Sequence, residues 1–221
     1  MNYNQYFDHT LLKADATLEE IKKLCDEAKK YEFWSVCVNP FYVPVAKKLL
    51  EGTSVKVCTV VGFPLGQMSP SAKAMEAADA VAMGADEVDM VQNVAMAKSG
   101  DFDFVEKEVA AVKKAVGRNH LLKVILETCY LNEQEIKCSC IAAVRGGANF
   151  VKTSTGFGKG GAKPEDIKLM RETVGPYIGV KASGGIHTKD DMMAMINNGA
   201  SRIGASASVK IMEELAEDKK K

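Results

Sequence analysis

The chain has 221 residues, with 29 basic and 29 acidic side chains that cancel to zero formal charge, and 47% of its residues are hydrophobic. That length allows one sizeable core in a single barrel or sandwich, and the balanced charge leaves no electrostatic footprint for nucleic acid or an anionic membrane. The opening "MNYNQYFDHTLL" lacks the basic start and apolar stretch of a signal peptide, and no run of about 18 apolar residues suits a membrane span, so a cytoplasmic protein is expected.

In chain order, "TLEEIKKLCDEAKK" places Leu18, Ile21, Leu24, Cys25 and Ala28 at helical spacing, with Thr17 as the cap. The clearest strand runs then follow: "WSVCV", "VKVCTVVGF", "EVDMV", "LLKVILET", "NFVKTS", "IGVKAS" and "SRIGAS", separated by amphipathic stretches. "GADEVDM", "GANFVKT" and "GASRIGA" repeat one punctuation, in which a helix stops at Gly84, Gly147 or Gly199 and the next strand begins. These glycines are 63 and 52 residues apart, and each interval holds two strand runs. One βα unit therefore takes roughly 30 residues, and the chain holds about eight, as a single-domain (β/α)8 TIM barrel over residues 1–221 requires. An open doubly wound sheet would bring G-x-G-x-x-G after its first strand, and none is present. "GFGKGGA" follows a late strand and lacks the Gly-Lys-Ser/Thr ending of a phosphate-binding P-loop.

The remaining markers are mostly structural. The terminal "DKKK" reads as a solvated end, and the Met-rich "MMAMI" as core filler. His9, His120 and His187 are scattered without a metal-ligand spacing. Cys37 and Cys58 lie in apolar runs, and Cys138 and Cys140 face different ways on one helix pattern, so reduced thiols are expected.

In a barrel of this kind chemistry gathers at the carboxyl ends of the strands, where Asp89, Lys152 and Lys181 stand. Each lysine follows a valine, so with helices covering the outer face the lysines point inward. Two ammonium groups on neighbouring strands disfavour each other's charge and lower the pKa of at least one. An ordinary lysine, with a pKa of about 10.4, is neutral in on the order of one molecule per thousand or fewer at pH 7. Each unit of depression raises that fraction about tenfold, and a neutral amine is the nucleophile of Schiff-base chemistry. Asp89 suits the accompanying proton transfers, and equally a structural hydrogen bond at a strand end.

Other residues keep this reading from being unique. Lys56 and Lys123 are also strand lysines, and Lys123 suits pairing with a carboxylate. Asp89 with Glu127 is an arrangement that holds divalent ions, which leaves open a metal-assisted aldolase or isomerase. "SGGIHT" and "IGASAS" follow the last two strands, where barrels bind phosphate. Gly184, Gly185 and Gly204 allow close backbone approach, and Ser206 adds a hydroxyl near a helix start. Thr155 and Gly156 form part of the same rim. A phosphosugar-binding barrel without turnover stays open too.

Seven segments in order, "DHTLL", "VCVNP", "GFPLG", "EVDMVQN", "KVILET", "FVKTSTGF" and "VKASGGI", make the chain resemble the deoxyribose-phosphate aldolases over nearly its whole length. The resemblance implies a class I aldolase on a (β/α)8 barrel, without metal or other cofactor and usually homo-oligomeric. Such an enzyme interconverts 2-deoxy-D-ribose 5-phosphate with glyceraldehyde 3-phosphate and acetaldehyde. It implies that Lys152 forms the imine, that Lys181 is the neighbour lowering its pKa, and that Asp89 moves protons. Asp8 matches a position of polar support and Cys37 one beside the substrate channel. The phosphate rim departs from the family pattern: His187 stands where many members have arginine in S-G-G-I-R-T, and "GASAS" replaces G-T-S-S-G, keeping Ser206 but bringing in Ala207 and Ser208. An always-charged fork and a hydroxyl are thereby lost. Lys159, in the glycine-rich run, is a substitute cation or simply a solvated lysine.

Overall fold

The structure, a computed structural model, describes residues 2–218, so the three lysines of "DKKK" lie outside the described residues. Eight strands, β1 (Phe7–Leu11), β2 (Ser35–Val38), β3 (Lys56–Val61), β4 (Glu87–Val91), β5 (Leu121–Ile125), β6 (Phe150–Lys152), β7 (Gly179–Ser183) and β8 (Arg202–Ala205), pair in parallel with their sequence neighbours. The barrel closes where Phe7, Asp8 and His9 of β1 pair with Ile203, Gly204 and Ala205 of β8. This is the predicted (β/α)8 barrel. The strand missing from the sequence reading is β1, because "FDHTL" alternates an outward Phe7 and His9 with an inward Asp8 and so resembles a polar turn.

The helical layer comprises α1 (Leu18–Tyr31), α2 (Val43–Leu49), α3 (Pro70–Ala82), α4 (Val94–Lys98), α5 (Phe102–Val116), α6 (Glu133–Arg145), α7 (Pro164–Val174), α8 (Lys189–Asn197) and α9 (Ser208–Asp218). The predicted cap on α1 is a full capping box, with Thr17 and Glu20 satisfying each other's backbone N–H. Ile21, Leu24, Cys25 and Ala28 are buried, whereas Leu18, the first helical residue, is left exposed. Gly84, Gly147 and Gly199 all take positive φ just past their helices, the conformation the repeated Gly-Ala punctuation demands.

Two interiors result from strand alternation. Outward residues such as Val38, Val57, Val88, Met90, Leu122, Val124, Val151, Val180 and Ile203 pack under the helices in the main hydrophobic core. The inward set is unusual for such a barrel, whose layers are ordinarily branched apolar side chains. Here Asp8, Ser35, Glu87, Asp89, Lys123, Lys152, Lys181 and Arg202 fill it and are buried, with a small apolar group of Leu12, Cys37, Cys58 and Val60 beside them. Room for the long side chains comes from glycine: a Cβ at Gly179 would stand 2.1 Å from the Phe150 ring, and one at Gly204 3.0 Å from Lys181 Cε.

Gly179→Ala is therefore expected to overpack the barrel and lower stability by about 1–3 kcal/mol. Urea unfolding checks this, and an unchanged midpoint would refute the packing argument.

Candidate active site

β6 is only three residues long and delivers Lys152 at its carboxyl end, in register with Lys181 on β7. β4 brings Asp89 to meet both amines. Asp89 Oδ2 accepts from Lys152 Nζ at 2.8 Å and from Lys181 Nζ at 2.8 Å, while Oδ1 accepts from Lys123 Nζ at 2.8 Å. A second carboxylate lies beneath: Asp8 Oδ1 accepts from Ser35 Oγ and from Arg202 Nη1, each at 2.7 Å, and its Oδ2 makes an ion-pair contact with Lys181. Glu87 completes the floor by contacting Lys123 and Arg202 and accepting the Trp34 indole N–H at 2.7 Å.

These contacts fix the charges. Burial alone would raise the Asp89 carboxyl, but Lys123, Lys152 and Lys181 reverse that and hold it well below the usual carboxylate range. Asp8 follows the same logic, with burial opposed by Arg202, Lys181 and Lys123. Lys181 moves the other way: burial disfavours its charge, yet Asp8 and Asp89 hold its pKa above the ordinary lysine value. Lys181 and Lys123 are thus fixed cations. The neighbouring Cys58 thiol lowers the pKa of Cys37 against the effect of burial. Burial, followed by its neighbours Cys37 and Asp89, pushes Cys58 well up, and its thiol lies 3.3 Å from Asp89 Oδ1.

Above the cluster lies a cleft of about 280 Å³. Lys152 stands at its floor, and Thr155, Gly156, Gly184, Gly185, Gly204, Ser206 and His187 form its walls. Every predicted rim residue therefore faces the one lysine of the cluster that reaches open space. Gly184 and Gly185 have φ of +83° and +76°, which turns consecutive backbone groups around the mouth. Asp89, Lys181, Lys123, Asp8 and Cys37 sit below the cleft rather than in its lining. Lys159 does not line it either: its amine lies 5.1 Å over the Tyr130 ring and borders a neighbouring cavity of about 640 Å³. Lys13, not singled out from sequence, is the exposed lysine that lines the reactive cleft.

The carboxylates needed for a divalent ion are engaged elsewhere. Asp89 is surrounded by amines, and Glu127 bonds the Thr155 N–H at 3.2 Å and the Thr155 hydroxyl. Among the described residues two donor groups have ligand-like spacing, Cys37 with Cys58 and Asp89, and Asp8 with Cys58 and Glu87. Lys123 contacts Cys58, Asp8, Glu87 and Asp89, so a cation already serves these donors. Lys56 begins β3 as an exposed side chain outside the cluster. Glu87 and Arg202 escaped the sequence reading, although Glu87 shares strand parity with Asp89 in "EVDMV", and Arg202 shares it with Gly204 in "SRIGAS".

A closed barrel with an amine at the carboxyl end of β6 and a glycine-lined mouth over β7 and β8 is an enzyme site by position and chemistry. Comparison with known proteins gives the family. The sequence profile of the DeoC/LacD family aldolases matches residues 3–211. Deoxyribose-phosphate aldolase from Finegoldia magna is 58% identical over 96% of this chain and 100% of its own length. The enzyme of that name from Caldanaerobacter subterraneus is 57% identical over 97% of this chain and 94% of its own. Among solved structures, a tetrameric deoxyribose phosphate aldolase from Aeropyrum pernix superposes with a TM-score of 0.89 at 34% identity, covering 96% of this chain and 90% of that one. The chain belongs to the DeoC/LacD aldolase family and is a lyase.

The depressed Asp8 carboxyl has a consequence for stability. A carboxylate whose folded pKa lies below its unfolded value stabilises the fold above the unfolded pKa and loses that contribution as pH falls toward the folded one. Asp8→Asn is expected to cost about 3–5 kcal/mol at pH 7, because it breaks a buried network and leaves Lys181 and Arg202 each short of one carboxylate. The gap from the parent should stay level above about pH 5 and narrow by up to about 1.4 kcal/mol per pH unit below about pH 4. Urea midpoints measured across that range decide it, and a gap independent of pH would contradict the assignment.

Proposed function

We propose that the chain cleaves 2-deoxy-D-ribose 5-phosphate reversibly to D-glyceraldehyde 3-phosphate and acetaldehyde through an imine on Lys152, within one catalytic barrel domain. The observation that carries this reading is the placement of Lys152 alone at the floor of the cleft, bonded to Asp89 and faced by the glycine rim. The names of its relatives support the substrate.

In the cleavage direction, Lys152 Nζ attacks C1 of the open-chain aldehyde as the free amine, and water leaves from the carbinolamine to give the iminium. A base removes the C3 hydroxyl proton, the C2–C3 bonding electrons pass to the iminium, and glyceraldehyde 3-phosphate departs. The remaining enamine takes a proton at C2, and water then hydrolyses the iminium to acetaldehyde and the free amine. When Lys152 reacts as the free amine, one of the three positive charges that depress the Asp89 carboxyl is gone, and Asp89, within reach of Lys152, accepts and returns these protons. Lys181 holds a fixed positive charge beside the reacting amine, while Asp8 and Lys123 hold Lys181 and Asp89 in place. Cys37 lies in the apolar group under the channel. Gly184, Gly185, Gly204 and Ser206 offer backbone and hydroxyl groups to the phosphate, with Thr155 and Gly156 continuing the same rim beside Gly184. No step requires a metal or organic cofactor.

A cytoplasmic location fits six cysteines that are all unpaired. Among the described residues no helix is long and apolar enough to cross a membrane. The tetramer formed by the Aeropyrum pernix relative supports a homo-oligomer here.

Borohydride reduction in the presence of acetaldehyde is expected to add an ethyl group to Lys152, seen by peptide mass spectrometry, and Lys152→Ala should abolish turnover. An unmodified Lys152 in active protein would end the imine assignment. The rim gives a second expectation. His187 lines the cleft where the family pattern has an always-charged arginine. His187→Arg should raise the preference for deoxyribose 5-phosphate over free deoxyribose about tenfold or more in kcat/KM, as one added charge-assisted hydrogen bond allows. An unchanged ratio would place the phosphate elsewhere.

A further inference from the structure

A second buried ion pair lies outside the lysine cluster, and no step of the reaction uses it. Lys73 of α3 and Glu108 of α5 have no solvent exposure and meet at 2.6 Å between Nζ and Oε1. Burial pulls both toward their neutral forms, Lys73 downward and Glu108 upward, with each partner's charge opposing that. Such a pair adds little stability over well-packed apolar side chains of the same volume. Its remaining contacts are therefore the informative ones.

Both side chains spend their other bonds on one stretch of backbone. Lys73 Nζ donates to the Val91 carbonyl at 2.8 Å, and Glu108 Oε2 accepts from the Asn93 N–H at 2.9 Å. Val91 is two residues beyond Asp89 on β4, and Asn93 caps α4. The adjacent exit of β3 is held from the same helix. Glu76 accepts the Gly62 N–H at 2.7 Å, and the Lys73 stem passes so close that a Cβ on Gly62 would stand 2.9 Å from Lys73 Cε. From the other side, the Gln92 amide donates to the Leu126 carbonyl at 2.8 Å beyond β5. The carboxyl end of β4 is thereby clamped between the outer helices and the neighbouring strand.

We infer that Lys73 and Glu108 are positioning residues for the proton-transfer step: by fixing Val91 and Asn93 they hold the Asp89 carboxylate at bonding distance from Lys152. This rests on the imine reading above. Reacting groups tolerate little displacement, and a shift of about 1 Å costs on the order of a hundredfold in rate. The effect should fall on proton transfer and not on substrate binding, because the rim that faces the phosphate belongs to β7 and β8.

The test is the double variant Lys73→Met/Glu108→Leu, which removes both charges and keeps the volume. It should fold, with a urea midpoint lowered only by the loss of the bonds to Val91 and Asn93, and form the borohydride-trapped adduct on Lys152 as the parent does. Exchange of the acetaldehyde methyl hydrogens in D2O, which reads enamine formation and protonation without an acceptor, should fall at least about tenfold. Turnover of deoxyribose 5-phosphate should fall in parallel in kcat, with KM within about twofold. A folded double variant with parental exchange and kcat would overturn the inference, as would equal losses in trapping and exchange. If that variant does not fold, Glu108→Gln gives the same decision, with a loss in kcat at constant KM on one side and parental kcat on the other. Failure of the imine reading is separately visible, since the parent itself would then give no adduct on Lys152.

Discussion

The carboxylate of Asp89 is the group around which the inside of this barrel is organised. It receives three amines, from β5, β6 and β7, on two oxygens. Lys152 depends on it most, since Asp89 is its one carboxylate partner among the described residues and a desolvated ammonium with no partner costs several kcal/mol. Asp8 and Glu87 extend the same compensation to Lys181, Lys123 and Arg202. Four cations against three carboxylates leave one formal positive charge in excess, and Lys152 is the member of the set that opens onto the cleft. The polar interior and the reactive amine are therefore one structure.

Such an interior constrains the rest of the fold. A barrel whose inward layers are charged draws its hydrophobic stabilisation from the layer between strands and helices, and the outward valines and isoleucines of β2 to β8 supply it. The inward side needs space for long side chains, and Gly179 and Gly204 provide it where Phe150 and Lys181 would otherwise collide with a Cβ. Gly204 thus has two duties, lining the cleft and making room for Lys181 beneath it.

Much of this is written in the sequence, for identifiable reasons. Parallel strands buried on both faces leave continuous apolar runs, so β2 to β8 are readable, and a charge inside such a run stands out, which exposes Asp89, Lys152 and Lys181. β1 is less legible because its inward Asp8 and outward His9 are both polar, and its burial is known only once β8 closes against it. Arg202 sits at a strand start, where a charge usually means solvent, and only the closed barrel turns it toward Asp8 and Glu87. Lys13 and Lys159 show the limit most clearly. Both are exposed lysines in loops, and local pattern favours the one in the glycine-rich run, yet the path of the chain places Lys13 on the reactive cleft and Lys159 over Tyr130.

The departures from the family motifs noted at the site lie in its rim. His187 belongs to the loop after β7, Ala207 to the turn into α9 and Ser208 to the first position of that helix, whereas the amines and carboxylates are carried by strands locked in register. Strand positions cannot drift singly, because each inward side chain shares a partner with two or three others and a one-residue slip would turn it to the opposite face. Loop positions at the mouth bear no such coupling. His187 contributes its backbone N–H to Asp191 on its own helix start and leaves its ring on the cleft wall. In the proposed reaction, carbon–carbon bond chemistry and phosphate recognition therefore fall to different parts of the barrel, so that a substitution at the rim would alter which sugar is held without disturbing the cluster beneath it.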